Sequence, residues 1–545
     1  MRRARGLLAV ILVLSFSATA AGESPEPGTD ELASAVCAEA PHELLVRIWR
    51  GVRLDRSGQI QMLPQEPNFV DGGLTHAGPW DYVQDVPMLW YGPGYVKPGR
   101  YDRPVTLADI APTAGRLLDF DFPAPDGREL TEALVPADER PLPRLVVTLV
   151  WDSAGMDVLD EWPKDWPYLR QLAKDGAWFE HATVGASPSN TPVGHSIIGT
   201  GSFPNRNGFV DEFLWLNEKL QKPNANGPAF LLTPTLADLY DFAMHNEPKI
   251  GGVATLAAHI AMEGHGAMWG GSDKDIAITR EKEFSEKGGE EDVTWNLTSS
   301  MAPFYRLPGY ANKVGGFEQD VRRLDQADGA LDERWRDNSI FALKEGFDTP
   351  ARTPYQTRLI QEVVEREDFG DDDVPDLLYL NYKAIDTIGH LFTANGVEMS
   401  DAVRYQDEAL RELVTFLNRE VGRGRWVMVI AADHGTNRDP DVSGAFRIGL
   451  NELEGQIQKN FDDPDGVPLL LKVRPTEIWL NEQELADNGH TLVELSEFIM
   501  GLTQTDVPKP DQPVRDPSEK VFAAAFPSSI LGRLPCLPEA GGSSS

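Results

Sequence analysis

The stretch Leu145-Val-Val-Thr-Leu-Val-Trp-Asp152 decides the fold. It is a continuous apolar run without the alternation of a half-solvated strand, so it reads as a strand buried on both faces, and an acidic residue stands where the run ends. Leu377-Leu-Tyr-Leu380 and Trp426-Val-Met-Val-Ile-Ala431 have the same character, and residues 353–367 and 401–421 carry helical periodicity. Short buried strands alternating with amphipathic helices predict an α/β chain with a mostly parallel central sheet flanked by helices. Ligands in such sheets bind at the carboxyl ends of the strands.

The carboxyl ends are where the chemistry is written. Asp152 closes the first run, Asp386 follows the second in Leu380-Asn-Tyr-Lys-Ala-Ile-Asp386, and Asp433 follows the third in Ile430-Ala-Ala-Asp-His-Gly435. A lone aspartate after a strand is more often a helix cap than a ligand. Two of these bring histidines, however: Asp386 and His390 share one face of a helical turn, and Asp433 adjoins His434. Mixed Asp and His donors suit zinc. A fourth element, Ser187-Pro-Ser-Asn-Thr-Pro-Val-Gly-His195, places Thr191 and Pro192 as the predicted cap and first residue of a helix, with its unpaired amides beside the threonine hydroxyl.

The chain has 545 residues and a globular composition, 41% hydrophobic and 25% charged. Its 50 basic residues against 85 acidic give a net charge of −35. That excludes unaided binding to nucleic acid polymers or anionic lipid, and it requires any site for a small anionic substrate to carry its own positive charge, such as a metal ion. Arg2, Arg3 and Arg5, the apolar run 7–16 and Ala18-Thr-Ala20 read as an export signal, which predicts a periplasmic or extracellular protein without stable membrane insertion once residues 1–21 are removed. Cys37 and Cys536 are the only cysteines and are free to pair in an oxidising compartment.

These residues resemble the type I phosphodiesterase and nucleotide pyrophosphatase branch of the alkaline phosphatase superfamily. The family's strand-end Asp matches Asp152; its nucleophile and Thr-Gly-x-x-Pro stretch match Thr191 and Thr200-Gly-Ser-Phe-Pro204; its Asp-x-x-x-His and Asp-His-Gly motifs match Asp386 with His390 and Asp433-His-Gly435. The family's last metal histidine is missing after His434. Gly73-Leu-Thr-His-Ala-Gly-Pro-Trp80 through Val105-Thr-Leu-Ala-Asp109 resembles the family's closing segment instead, which makes His76 the match and the chain a circular permutation.

The resemblance implies two divalent ions, zinc by donor type. One is held by Asp386, His390 and His76, the other by Asp152, Asp433 and His434, and Thr191 is shared as nucleophile. The reaction is then an in-line displacement through a phosphothreonine intermediate. A threonine cannot become the formylglycine of sulfatases. His195, four residues past Thr191, is given a supporting or packing role rather than ligation.

The family's phosphomonoesterases carry a Lys and an Arg in the segment matching 253–265, where His259, Glu263 and His265 stand instead. Asp211-Glu212 replaces a family asparagine. Both changes favour a diester or related monoanion, with a phosphomonoesterase as the runner-up and a non-catalytic binding protein on the same fold as the remote third reading.

The domain reading is a signal peptide at 1–21, a tether at 22–43, a permuted closing segment at 44–140, core with the nucleophile at 141–210, a cap or insertions at 211–350, core with the metal motifs at 351–540 and a tail at 541–545. In family order the strand-like run 520–526 precedes the one at Leu44-Leu-Val-Arg-Ile-Trp49. The two cysteines flank that presumed cut, so a Cys37–Cys536 disulfide is expected to rejoin the chain there.

Overall fold

The computed structural model describes residues 26–71, 76–222, 227–269, 273–280, 294–463, 465–510 and 512–537. The expected leader, the first residues of the expected tether, 73–75 of the segment read as permuted and the expected tail lie outside them.

Leu145–Trp151 is a strand at the middle of a nine-stranded sheet, flanked in parallel by Asp376–Tyr382 and Trp426–Ala431, with Val147 in register with Leu378 on one side and Met428 on the other. Every residue of these three strands is buried, as their unbroken apolar runs require. Beyond Asp376–Tyr382 the sheet continues in parallel through Ile250–Val253, Asp275–Ile278 and Tyr305–Arg306. Beyond Trp426–Ala431 come Met88–Tyr91, Ala177–Phe179 and Gly99–Tyr101, of which Met88–Tyr91 alone runs against the rest. The helices Arg352–Arg366 and Val397–Leu417 share one apolar core with the strands, Leu359, Val363, Leu410 and Leu413 packing in the same cluster as Val147 and Leu378.

A second, antiparallel sheet orders Leu470–Val473, Glu477–Leu480, Ile60–Pro64 and Phe522–Pro527, over its own core of Ile60, Met62, Leu453, Ile478, Leu495 and Ile499. Residues from near both ends of the chain therefore pair directly, Met62 opposite Ala525.

Three expectations change. The run at Leu44 is not a strand but part of the helix His42–Gly51, because its buried residues Leu44, Leu45 and Ile48 recur on one helical face. Much of the tether is the helix Thr29–Glu39, which buries Leu32, Ala33 and Val36 at the same spacing; a Pro- and Glu-rich start masked that pattern. The stretch 211–350 is not only insertion or cap, since it supplies three strands of the central sheet. They are short, and Ile250-Gly-Gly-Val253 lacks the side chains that mark a strand. The glycines are required, because a Cβ on Gly252 would lie 2.0 Å from Glu263 Oε2 and one on Gly251 2.9 Å from the Phe369 ring.

Cys37 and Cys536 form a disulfide, their Cα atoms 5.8 Å apart, in a cluster with Val36, Leu45, Ile48, Phe526 and Leu531. The bridge spans 499 residues, so the chain-entropy argument assigns it roughly 6 kcal/mol. Cys536→Ser should therefore lower the denaturant midpoint in equilibrium unfolding, and reductant should lower the midpoint of the parent protein but not of the variant.

Candidate active site

Three adjacent parallel strands deliver the three aspartates to one edge of the sheet. Asp152 directly follows Leu145–Trp151, and its amide donates to Tyr382 O at 3.0 Å. Asp386 lies in the first turn of the helix Ala384–Phe392 and Asp433 two residues past Trp426–Ala431; all three are buried. Thr191 is the first residue of the helix Thr191–Thr200, but the cap is Asn190, whose side chain accepts from Val193 N at 3.3 Å. Freed from capping, the Thr191 hydroxyl stands 3.3 Å from His434 Nε2. The helix can approach this closely because residue 194 is glycine: a Cβ there would lie 2.4 Å from Asp433 O.

His76 is buried beside these groups, its ring stacked on His434 at 3.8 Å between centroids. The structure thus gathers His76, Asp152, Thr191, Asp386, His390, Asp433 and His434 around one point.

Their donor atoms converge in two hollows. In one, Asp386 Oδ1 is 3.5 Å from both His76 Nε2 and His390 Nε2. In the other, His434 Nε2 is 3.3 Å from Asp433 Oδ2, 3.3 Å from Thr191 Oγ1 and 3.7 Å from Asp152 Oδ1. Donors on a tetrahedral zinc with bonds of about 2.0 to 2.1 Å lie about 3.3 Å apart, so the spacings fit. The tautomers fit as well. His76 Nδ1 faces Ser189 O at 3.2 Å and His434 Nδ1 faces Gly435 O at 2.8 Å, which puts the proton on Nδ1 and leaves the Nε2 lone pair for a cation. Asp386 Oδ1 and Asp433 Oδ2, one in each hollow, are buried oxygens that receive no hydrogen bond among the described residues, His195 Nδ1 passing 3.3 Å from the second. Two groups close to within 4.8 Å on every pair, His76 with Asp386 and His434, and Asp152 with Asp433 and His434. His434 is common to both, and His390 joins through Asp386.

Burial, with His434 alongside, holds the His76 pKa well below its ordinary value, so the ring is neutral. Burial works to raise the Asp386 carboxyl, but Lys383 and His390 overcome it and hold the group well below the usual carboxylate range. Asp152 is lowered in the same way, burial opposed chiefly by Lys383.

Lys383 escaped the sequence reading, although a lysine between a buried strand and an aspartate is a signal, since buried lysines are rare unless paired. Its Nζ lies 2.8 Å from Asp152 Oδ1, 2.9 Å from Asp386 Oδ2 and 3.1 Å from Thr191 Oγ1. Burial would lower its pKa, but Asp152, Asp386 and Asp433 hold it above the ordinary lysine value. A second buried cation, Arg352, donates to Thr387 Oγ1 at 3.0 Å and Thr255 Oγ1 at 2.7 Å, behind the Asp386 turn.

His195 Nδ1 donates to Thr191 O at 2.9 Å, and its Nε2 accepts from Asn381 Nδ2 at 3.1 Å. Asn381 also donates to Asp152 Oδ2 at 2.8 Å. His259 Nδ1 accepts the amides of Thr255 and Leu256, which leaves its proton on Nε2, 3.2 Å from Asp152 Oδ2. Asp152, His195 and His259 form a third tight group, in which Asn381 and Thr191 O occupy the His195 nitrogens and His259 Nε2 lies 3.2 Å from Asp152 Oδ2. Glu263 and His265 turn elsewhere, His265 pairing with Asp238 at 2.7 Å. Asp211 accepts from Asn190 Nδ2 at 3.1 Å, and Arg474 reaches Glu212 at 2.8 Å, so this acidic pair supports the helix cap and is itself neutralised.

Gly194→Ala should push the helix off the Asp433 loop. The expected result is a lower melting temperature together with loss of divalent-cation binding by equilibrium dialysis.

Over residues 146–539 the chain matches the family described as type I phosphodiesterase / nucleotide pyrophosphatase. It is 23% identical over 357 residues to a protein of Myroides odoratus named calcium-transporting ATPase, covering 56% of this chain and 62% of that one. It is 20% identical over 405 residues to alkaline phosphatase PafA of Elizabethkingia meningoseptica, covering 66% and 73%. With alkaline phosphatase PhoV of Synechococcus elongatus the identity is 22% over 350 residues, 55% and 60% of the two chains. The chain thus spans less than two thirds of the Myroides and Synechococcus relatives. The crystal structure of wild-type alkaline phosphatase PafA superposes with a TM-score of 0.51 at 17% identity, covering 66% of this chain and 76% of that one, so the fold is alkaline-phosphatase-like.

Proposed function

Because the chain belongs to the type I phosphodiesterase / nucleotide pyrophosphatase family, we propose that it is an exported hydrolase of small phosphoric esters, acting through Thr191 at a site for two divalent ions, zinc by donor type. The observation that carries this reading is the pair of buried oxygens, Asp386 Oδ1 and Asp433 Oδ2, that receive no hydrogen bond among the described residues and each face an imidazole nitrogen. Buried anionic oxygens without donors are costly unless a cation meets them.

His76, Asp386 and His390 would hold one ion, and Asp152, Asp433, His434 and Thr191 the other. When bound, such ions neutralise phosphoryl oxygens and favour the ionised threonine hydroxyl. The chain supplies the rest. Asn190 caps the helix so that Thr191 Oγ1 is free to attack phosphorus. The Thr191 proton passes to water, the Oγ1–P bond forms as the bond to the leaving oxygen breaks, that oxygen takes up a proton from water, and a second water cleaves the phosphothreonine and returns the Thr191 hydroxyl. His195, His259 and Asn381 hold Asp152 and the Thr191 backbone in place during both steps.

Diesters and pyrophosphates are the first reading of substrate, supported by the absence of Lys and Arg from 253–265. A monoester is the second, favoured by Lys383 beside the nucleophile and by relatives named alkaline phosphatases. The disulfide and the leader-like start support export. Circular permutation is our reading of why His76, far upstream, meets Asp386.

Dialysis against a chelator should abolish hydrolysis of aryl phosphate esters and zinc should restore it. Thr191→Ala should bind zinc yet yield no acid-stable phosphothreonine. Full turnover by metal-free protein, or by Thr191→Ala, contradicts the mechanism.

A further inference from the structure

Lys383 is 8% exposed, and its ammonium touches the side chains of Asp152, Asp386 and Thr191 at once. Its backbone position explains the reach. It follows the last residue of the strand Asp376–Tyr382 and precedes the helix Ala384–Phe392, so its side chain crosses the space between the two hollows. As an ammonium it donates to Thr191 Oγ1, which orients that oxygen and favours its negative charge.

We infer that Lys383 is a catalytic and specificity-determining residue, the built-in cation that lets this site carry the second negative charge of a phosphomonoester. The inference rests on the two-ion reading above and, of its two substrate readings, selects the monoester over the diester. Three aspartates and the ionised Thr191 balance the four positive charges of two divalent ions. Lys383 adds one positive charge to that balance, and a dianion gains more from it than a monoanion does. It does so from a different segment than 253–265, where no Lys or Arg stands. The geometry also gives the lysine a place in the reaction. When Oγ1 bonds to phosphorus, the non-bridging oxygens lie within the next shell of atoms around Nζ, where a fixed ammonium stabilises the charge they carry. Neither step requires the lysine to lose its proton.

The test uses the full chain loaded with zinc, comparing the parent, Lys383→Met and Lys383→Arg. Metal content, the affinity for inorganic phosphate by calorimetry, and kcat/KM on an aryl phosphate monoester and a matched methyl aryl diester are measured together. Lys383→Met should keep the metal content of the parent. Its monoester-to-diester ratio should fall at least about tenfold, and phosphate binding should weaken by a similar factor. Lys383→Arg keeps the charge but displaces the donor, so the ratio should stay within about threefold while kcat drops on both esters. An unchanged ratio with unchanged phosphate affinity in Lys383→Met overturns the inference. So does a parallel fall of both activities in step with lost metal, which is what a merely structural ion pair produces. If the zinc-loaded parent turns over neither ester, the enzymatic reading fails instead, and phosphate binding still reports on the lysine.

Discussion

Three carboxylates, Asp152, Asp386 and Asp433, are buried side by side at the ends of three neighbouring parallel strands, and the rest of the site follows from the need to hold that charge together. Burial and mutual repulsion each disfavour three ionised groups, so the arrangement stands only with cations among them. Lys383 is one such cation within the chain. The imidazoles of His76 and His434, turned so that their Nε2 lone pairs face inward, hold places for others.

The same constraint explains features remote from charge. The helix Thr191–Thr200 must press against the Asp433 loop, so residue 194 has no side chain. Thr191 must be free to face His434, so the capping duty passes to Asn190, itself held by Asp211. The segment bearing His76 must reach the far side of the sheet edge. The pairing of Ile60–Pro64 with Phe522–Pro527 and the Cys37–Cys536 bridge fix that upstream part of the chain to the downstream part that it needs.

The central strands and their terminal aspartates were legible because full burial leaves an unbroken apolar run, and a run that stops at Asp is visible in one dimension. The disulfide was also expected. The helix His42–Gly51 was read as a strand because Leu44, Leu45 and Ile48 lie among other apolar residues and only the packing tells which face is covered. The strands inside 211–350 were obscured because Gly251 and Gly252 answer to the approach of Phe369 and Glu263, contacts that no local pattern records. The Thr191 cap was misplaced by one residue, Asn190 being an equally good capping type. Lys383 was passed over because its partners Asp152 and Thr191 lie 231 and 192 residues away.

The central claim is that these strand ends enclose two cations flanking the Thr191 hydroxyl. Anomalous diffraction at the zinc absorption edge, from crystals grown with zinc, tests it most directly. The account predicts two peaks, one against Asp386 Oδ1 and His76 Nε2 and one among Asp433 Oδ2, His434 Nε2 and Thr191 Oγ1. No peak at either position in crystals that bind zinc elsewhere would contradict it.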